Sequence, residues 1–425
     1  MRYLALTNND RQQMLQAIGA SSINDLYSAV PQQFLLTKPI DNLPLHQGEL
    51  EVDNFITNLA KKNRHANQGM FFLGAGCYNH HIPATVDHLI QRSEFLTSYT
   101  PYQPEISQGT LATIFQFQSI IALLTGMQVA NASMYDGATA LAESLQMALR
   151  LQSGRKKFAT FGNIHPDYLD VCNTYLNLND ASFVNEISSE CAAAIVQYPD
   201  FYGNIADLQH IKQQCQANGA LLIVVVTEVL ALGLLPAPDI ADIVVGEASS
   251  LGVGLNFGGP LLGFFACQKQ FVRQMPGRIC GSTTDADGKQ GFVLTLNARE
   301  QHIRREKATS NICSNQGLCA TAFTIHMSLL GEIGFKKLAM LNHSKACFAF
   351  DELSKVKGLK ILNNNFFNEF AVEFSQSADK INEKLLAKNI IGGYCTDNKM
   401  ILAFTELTSD NDIKNLAKEL KEILQ

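Results

Sequence analysis

Residues 220–260 read "ALLIVVVTEVLALGLLPAPDIADIVVGEASSLGVGLNFGGP". Of two runs within them, "LLIVVV" is wholly apolar and "DIVVGE" has the apolar centre Ile243–Val245, and both are rich in β-branched residues. A strand covered on both faces reads this way, whereas a half-exposed strand alternates. The stretch therefore predicts two buried strands of a parallel sheet. A membrane span is not expected here: the apolar block 221–236 falls short of the roughly 20 residues a spanning helix needs, and Glu228 sits in its middle. Behind Val245 comes a loop of glycines and small residues, the kind of backbone that approaches a ligand closely. Yet 246–260 holds no lysine, histidine, arginine or aspartate.

The same rhythm extends in both directions. Upstream, "KKFATFG", "ASFVNEI" and "CAAAIVQYP" read as strands, and "QVANAS" as a short one. Between them lie helices. "GTLATIFQFQSIIALLTG" carries Leu111, Ile114 and Phe115 at helical spacing and stops at Gly126; "DGATALAESLQMALRLQ" opens at Asp136. Alternating strand and helix predict an α/β chain, a large αβα domain with a mostly parallel sheet and helices on both faces. The pattern changes near residue 330. "EFAVEF" and "MILAFTEL" alternate, and "DKINEKLLAKN" and "SDNDIKNLAKELKEIL" are amphipathic, which predicts a small C-terminal α+β domain. The expected division is 1–60, 61–329 and 330–425. In the first part, Thr7 or Asn9 can cap "RQQMLQAI", and "VPQQFLLTKPIDNLPL" should be mostly extended. Such a segment cannot bury its own apolar residues, so it is expected to pack on a partner or on the large domain.

Composition narrows the class. The 425 residues are 46% hydrophobic and 17% charged, which supports a sizeable core and argues against disorder. Net charge is −6 without a basic block, so nucleic acid is not an expected partner. Ten cysteines are scattered without a C-x-x-C, and "MRYLALTNND" lacks the apolar run of a secretion signal. Both point to a cytoplasmic chain with reduced thiols and no membrane.

Five motifs could carry chemistry. In "YDGATALAE" (135–143), Gly137, Ala138 and Thr139 open a helix after a strand, offering free N–H groups to a phosphate; an ordinary cap by Asp136 is the plainer alternative. "CYNHH" (77–81), with Asp87 and His88, gathers soft and imidazole ligands but lacks a second spaced pair, so polar packing is expected and metal is not. His165 in "IHPDYL" could stack on an aromatic ring or serve a turn. "SYTPYQPEISQG" (98–109) sets Tyr99, Tyr102, Gln103 and Glu105 on a proline-stiffened loop, fit for hydrogen bonding or for packing on a partner. "RREKATSNICSNQG" (304–317) places Thr309, Ser310 and Asn311 after a basic cluster, to bind an anion or to cap a helix.

The strings 72–118 and 126–143 and "REKATSNICSNQGLCA" (305–320) resemble the P-protein of the glycine cleavage system, and more narrowly the N-terminal-half chain of its split form. The resemblance runs along nearly the whole chain. It implies the fold type I architecture of pyridoxal-phosphate (PLP) enzymes. It implies glycine decarboxylation on PLP, with transfer of the aminomethyl group to the lipoyl arm of H-protein. Such a site needs a lysine near Ser250 and an acid on the strand before it, where this chain has Val224 and Val225. No lysine occurs between Lys212 and Lys269. The resemblance therefore implies PLP held by subunit 2, in a heterotetramer of two of each subunit. In that arrangement Tyr99, Tyr102, Gln103, Glu105, Thr309, Ser310 and Asn311 wall the partner's site, and Gly137, Ala138, Thr139 and His165 are remnants of a cofactor pocket. A self-sufficient enzyme using Lys269 or Lys307, and a scaffold contributing no active-site residue, are the alternatives.

Overall fold

The computed structural model describes residues 6–36, 38, 40–44 and 46–425, so Thr37, Pro39 and Leu45 of the expected extended stretch lie outside the described residues. Two compact units result, Met1–His65 and Ala66–Gln425. In the first, helix Asn8–Ala17 is capped by Thr7, not Asn9: Thr7 Oγ1 accepts from the Asp10 N–H, and the Asp10 carboxylate accepts from the Thr7 N–H. A second helix, Glu49–Ala60, follows. Neither helix has a buried residue.

The second unit is built on a seven-stranded sheet. Its strands are β1 (Val129–Ala130), β2 (Lys157–Phe161), β3 (Ser182–Val184), β4 (Cys191–Gln197), β5 (Leu221–Val226), β6 (Ile243–Glu247) and β7 (Gly263–Cys267). The spatial order is β1-β7-β6-β5-β4-β2-β3. The pairings from β6 through β5, β4 and β2 to β3 are parallel, and β7 runs antiparallel to both of its neighbours. The two quoted runs lie side by side at the centre, with Val224 opposite Val196 and Val244. Every residue of β5 and β6 is buried because both sheet faces are covered. Val224 and Val226 share one core with Phe117 and Phe323 of helices Gln108–Thr125 and Gly317–Leu353. Ile223 and Val225 share the other with Leu141 and Cys172 of helices Gly137–Leu151 and Pro166–Leu176. Each such valine contributes about 1.5–3 kcal/mol by burial.

A four-stranded antiparallel sheet forms the small C-terminal α+β part, in the order Leu359–Ile361, Glu369–Phe374, Lys399–Ala403, Tyr394–Thr396. Phe370, Leu402 and Phe404 pack there with Ile413 and Leu416 of helix Asp410–Ile423, which Ser409 caps through the Asp412 N–H. Helix Gly317–Leu353 runs through residue 330 and breaks beside it at Gly331. That helix has the length and apolarity of a membrane span, but half of its most apolar window is buried in the fold.

Candidate functional site

In open α/β sheets, ligands sit beyond the carboxyl ends of the parallel strands. Here the ends of β4, β5 and β6 carry Gln197, Glu228 and Glu247, all buried. Glu247 is 2% exposed and closes the end of β6. Its Oε2 accepts from the Gly137 N–H at 3.0 Å, and its Oε1 accepts from the Ser249 N–H at 3.0 Å and the Leu262 N–H at 2.7 Å. Burial raises its pKa, while these N–H groups pull the other way. Gly137 is the first residue of helix Gly137–Leu151, so the carboxylate sits on that helix's N-terminus. Asp136 takes the Thr139 N–H at 2.7 Å, and Ala138 lies half-buried between them.

His165 stands across this helix start. Its Nδ1 accepts from the Asp167 N–H, so its Nε2 carries the proton donated to the Ala75 carbonyl at 2.9 Å. Burial keeps its pKa low. One ring face is stacked on Tyr168, with centroids 5.0 Å apart and planes at 28°, and Phe201 meets it edge-on. The Tyr168 hydroxyl backs onto the helix start: a Cβ at Gly137 would come within 2.2 Å of it.

Ser250 lies 4% exposed in the loop after β6, and its hydroxyl donates to Glu228 Oε2 at 3.0 Å. The same carboxylate oxygen holds His80 Nε2 at 3.1 Å, while His80 Nδ1 meets Glu406 Oε2 at 2.9 Å. Carboxylates on both ring nitrogens require both to donate, so His80 is an imidazolium. Burial opposes its charge, but Glu228 and Glu406 raise it to about 10. Burial likewise opposes the Glu406 charge, and His80 with the His81 N–H and Asn342 lowers it to about 2. The "CYNHH" loop thus serves an ion-pair network joining β5, the glycine-rich loop and the C-terminal part. Among the described residues no metal-ligating group of three or more His, Cys, Asp or Glu is gathered.

The other sequence candidates form a separate, outer group. Tyr99 is 80% exposed and Tyr102 52%, and Gln103 and Glu105 are exposed. Tyr102 and the loop after Asn311 are brought together by Arg278, only 4% exposed. Arg278 donates from Nη2 to Tyr102 Oη at 3.1 Å and to the Cys313 carbonyl at 2.9 Å, and from Nη1 to Ser314 Oγ at 3.2 Å. Glu300 lies 3.5 Å from its Nε. Because Tyr102 Oη accepts from Arg278, its own proton is left to donate outward. Thr309 is held through its N–H by the Arg299 carbonyl at 2.9 Å. Ser310 lies near the buried Glu143, and Asn311 near Tyr175. Lys269 and Lys307 are both exposed.

Sequence reading missed Glu247, Glu228, Tyr168 and Arg278. A signal existed for Glu247 and Glu228, each a lone charged residue at or beside the end of an apolar strand, where burial demands a partner; Arg278 precedes a strand with little apolar signal. Tyr168 gave none, because an aromatic in a helix's first turn is ordinary.

Comparison with known proteins bears on the whole chain. A family profile described as glycine cleavage system P-protein matches residues 1–420. The chain is 50% identical to the probable glycine dehydrogenase (decarboxylating) subunit 1 of Sphingopyxis alaskensis, covering 100% of both. It is similar to a crystal structure of glycine decarboxylase (P-protein) of the glycine cleavage system in inhibitor-bound form. There the TM-score is 0.93 at 39% identity, covering 100% of each chain. An alanine–glyoxylate aminotransferase from Nostoc sp. shares the fold alone, with a TM-score of 0.57 at 15% identity over 95% of this chain and 100% of that one. The architecture is that of fold type I PLP-dependent enzymes.

Proposed function

The chain belongs to the glycine cleavage system P-protein family, and from that membership we propose that it is the half without the cofactor lysine, active only with subunit 2. Ser250 carries this reading. At the place where the family's lysine is expected stands a buried serine committed to Glu228. The helix start, the His165 ring face and the glycine-rich loop are each taken by side chains of this chain, so the residues do not fit PLP. No step of the cofactor's chemistry is assigned to them.

In this reading PLP is bound by subunit 2, in a cytoplasmic assembly of two of each subunit. Glycine is decarboxylated there, and the aminomethyl group passes to the lipoyl arm of H-protein. This chain contributes a wall, with Tyr99, Tyr102, Gln103 and Glu105 on one loop and Thr309, Ser310 and Asn311 on the next. The exposure of Tyr99, Tyr102, Gln103, Glu105 and Asn311 and the stiffness of the first loop suit them to a partner's surface, with Thr309 and Ser310 half-buried beside Asn311. The division near residues 60 and 330 belongs to the same proposal.

The test is exchange of labelled carbon dioxide into glycine. Exchange is expected with this chain, subunit 2 and lipoylated H-protein together, and activity from this chain without subunit 2 contradicts the reading. In the assembled complex, Tyr99→Phe and Tyr102→Phe should each lower turnover or glycine affinity by about tenfold, the scale of one lost hydrogen bond. If both leave turnover and affinity unchanged in an intact complex, the chain is a scaffold rather than a wall.

A further inference from the structure

An enzyme pocket that has lost its cofactor leaves a physical problem behind. Helix Gly137–Leu151 has 15 residues, and its first N–H groups have no intrahelical acceptor. Buried and unpaired, such groups destabilise the fold. A bound phosphate answers that need with negative charge at the positive end of the helix dipole. This chain answers it internally. Glu247 lies across from the helix start on the adjoining strand end, with one carboxylate oxygen on the Gly137 N–H at 3.0 Å. The other oxygen gathers Ser249 and Leu262, so the glycine-rich loop between them is closed over the same carboxylate. Beside it, Tyr168 covers both Gly137 and one face of His165. An anion and an aromatic ring therefore occupy adjacent places here, both supplied by the chain.

We propose that Glu247 is a built-in replacement for a phosphate group, and that with Tyr168 it keeps this pocket shut to phosphorylated ligands. The inference rests on the reading that this chain holds no cofactor, and it adds the device that excludes one. With the Asp136 cap, Glu247 sets two carboxylates at the helix start, and Glu247 occupies the Gly137 N–H that a bound oxyanion would take. The site is latent: removing the carboxylate leaves the Gly137, Ser249 and Leu262 N–H groups, which converge on its two oxygens, together without an acceptor.

The experiment uses the full chain, with inorganic phosphate as the probe and chloride at equal ionic strength as the control. The wild-type chain should show no phosphate-specific rise in melting temperature. Glu247→Ala should melt lower, and phosphate should restore its melting temperature saturably, with an affinity about tenfold or more above wild type. Should Glu247→Ala fail to fold without phosphate, refolding with and without phosphate supplies the same comparison, and Glu247→Ser retains a small polar group for a second measurement. Variants that fold but ignore phosphate, or a wild-type chain that binds it equally well, overturn the proposal. A parallel arm treats the wild-type chain with pyridoxal phosphate and borohydride. A pyridoxyl-lysine there defeats the reading of a cofactor-free chain, whereas a cofactor-free wild type with unresponsive variants defeats only the role given to Glu247.

Discussion

His80 is the residue with the most at stake in this chain. Its imidazolium lies between the buried Glu228 and the half-buried Glu406, and Glu228 also receives the Ser250 hydroxyl and the Leu230 N–H. Replacing His80 by glutamine leaves the buried Glu228 without its counter-charge, a loss of about 3–5 kcal/mol measurable by denaturant unfolding. The pH dependence follows from the two shifted groups. His80 is raised, so its contribution is fully present below the ordinary histidine value of 6.5 and is lost as pH rises through about 10. Glu406 is lowered, so its contribution is present above 4.5 and is lost as pH falls through about 2. His80→Gln should flatten the alkaline limb of the stability profile, and an unchanged limb would show that the ion pairs do not hold the fold. Arg278 makes a second residue-scale prediction. Arg278→Lys keeps the charge but not the planar fork that reaches Tyr102, Cys313 and Ser314 at once. In a double-mutant cycle with Tyr102→Phe, the stability losses should be non-additive by about 0.5 kcal/mol or more.

Among the elements, the strands were the most legible. "LLIVVV" and "DIVVGE" read as strands because burial on both faces erases alternation, and the sheet places them adjacent at its centre. Strand direction was not legible: "GFFAC" is as apolar as its neighbours, yet β7 runs antiparallel to them. Composition records burial, not polarity of the chain. Hairpin Ile279–Thr284 with Gln290–Thr295 went unread because much of it is exposed or only half-buried and carries little apolar signal. The glycine-rich loop gives a prediction on this scale. Gly252 has φ +92°, and a Cβ there would come within 2.5 Å of the Ala322 backbone. Gly252→Ala should destabilise by more than about 1 kcal/mol, since neither the conformation nor the space suits a side chain. Gly109, in helix Gln108–Thr125 with open space around it, should instead gain about 0.5–1 kcal/mol as alanine. Equal effects in thermal denaturation would contradict this account of the loop.

At the scale of the molecule, the sequence announced the missing lysine but not what became of its surroundings. An absent residue type is visible in one dimension. The meeting of Glu247 with Gly137, 110 positions apart, and of Arg278 with Tyr102, 176 apart, exists only once the sheet and its loops have closed. The same holds for Ser250, whose tie to Glu228 turns a vacant-looking position into part of a buried network. The account therefore rests on a division of labour, with the cofactor on one chain and part of its enclosure on the other. Borohydride reduction of the assembled two-subunit complex with PLP, followed by peptide mapping, tests that division most directly. The pyridoxyl-lysine should appear only in subunit 2. A pyridoxyl group on Lys269, Lys307 or any other lysine of this chain would contradict it.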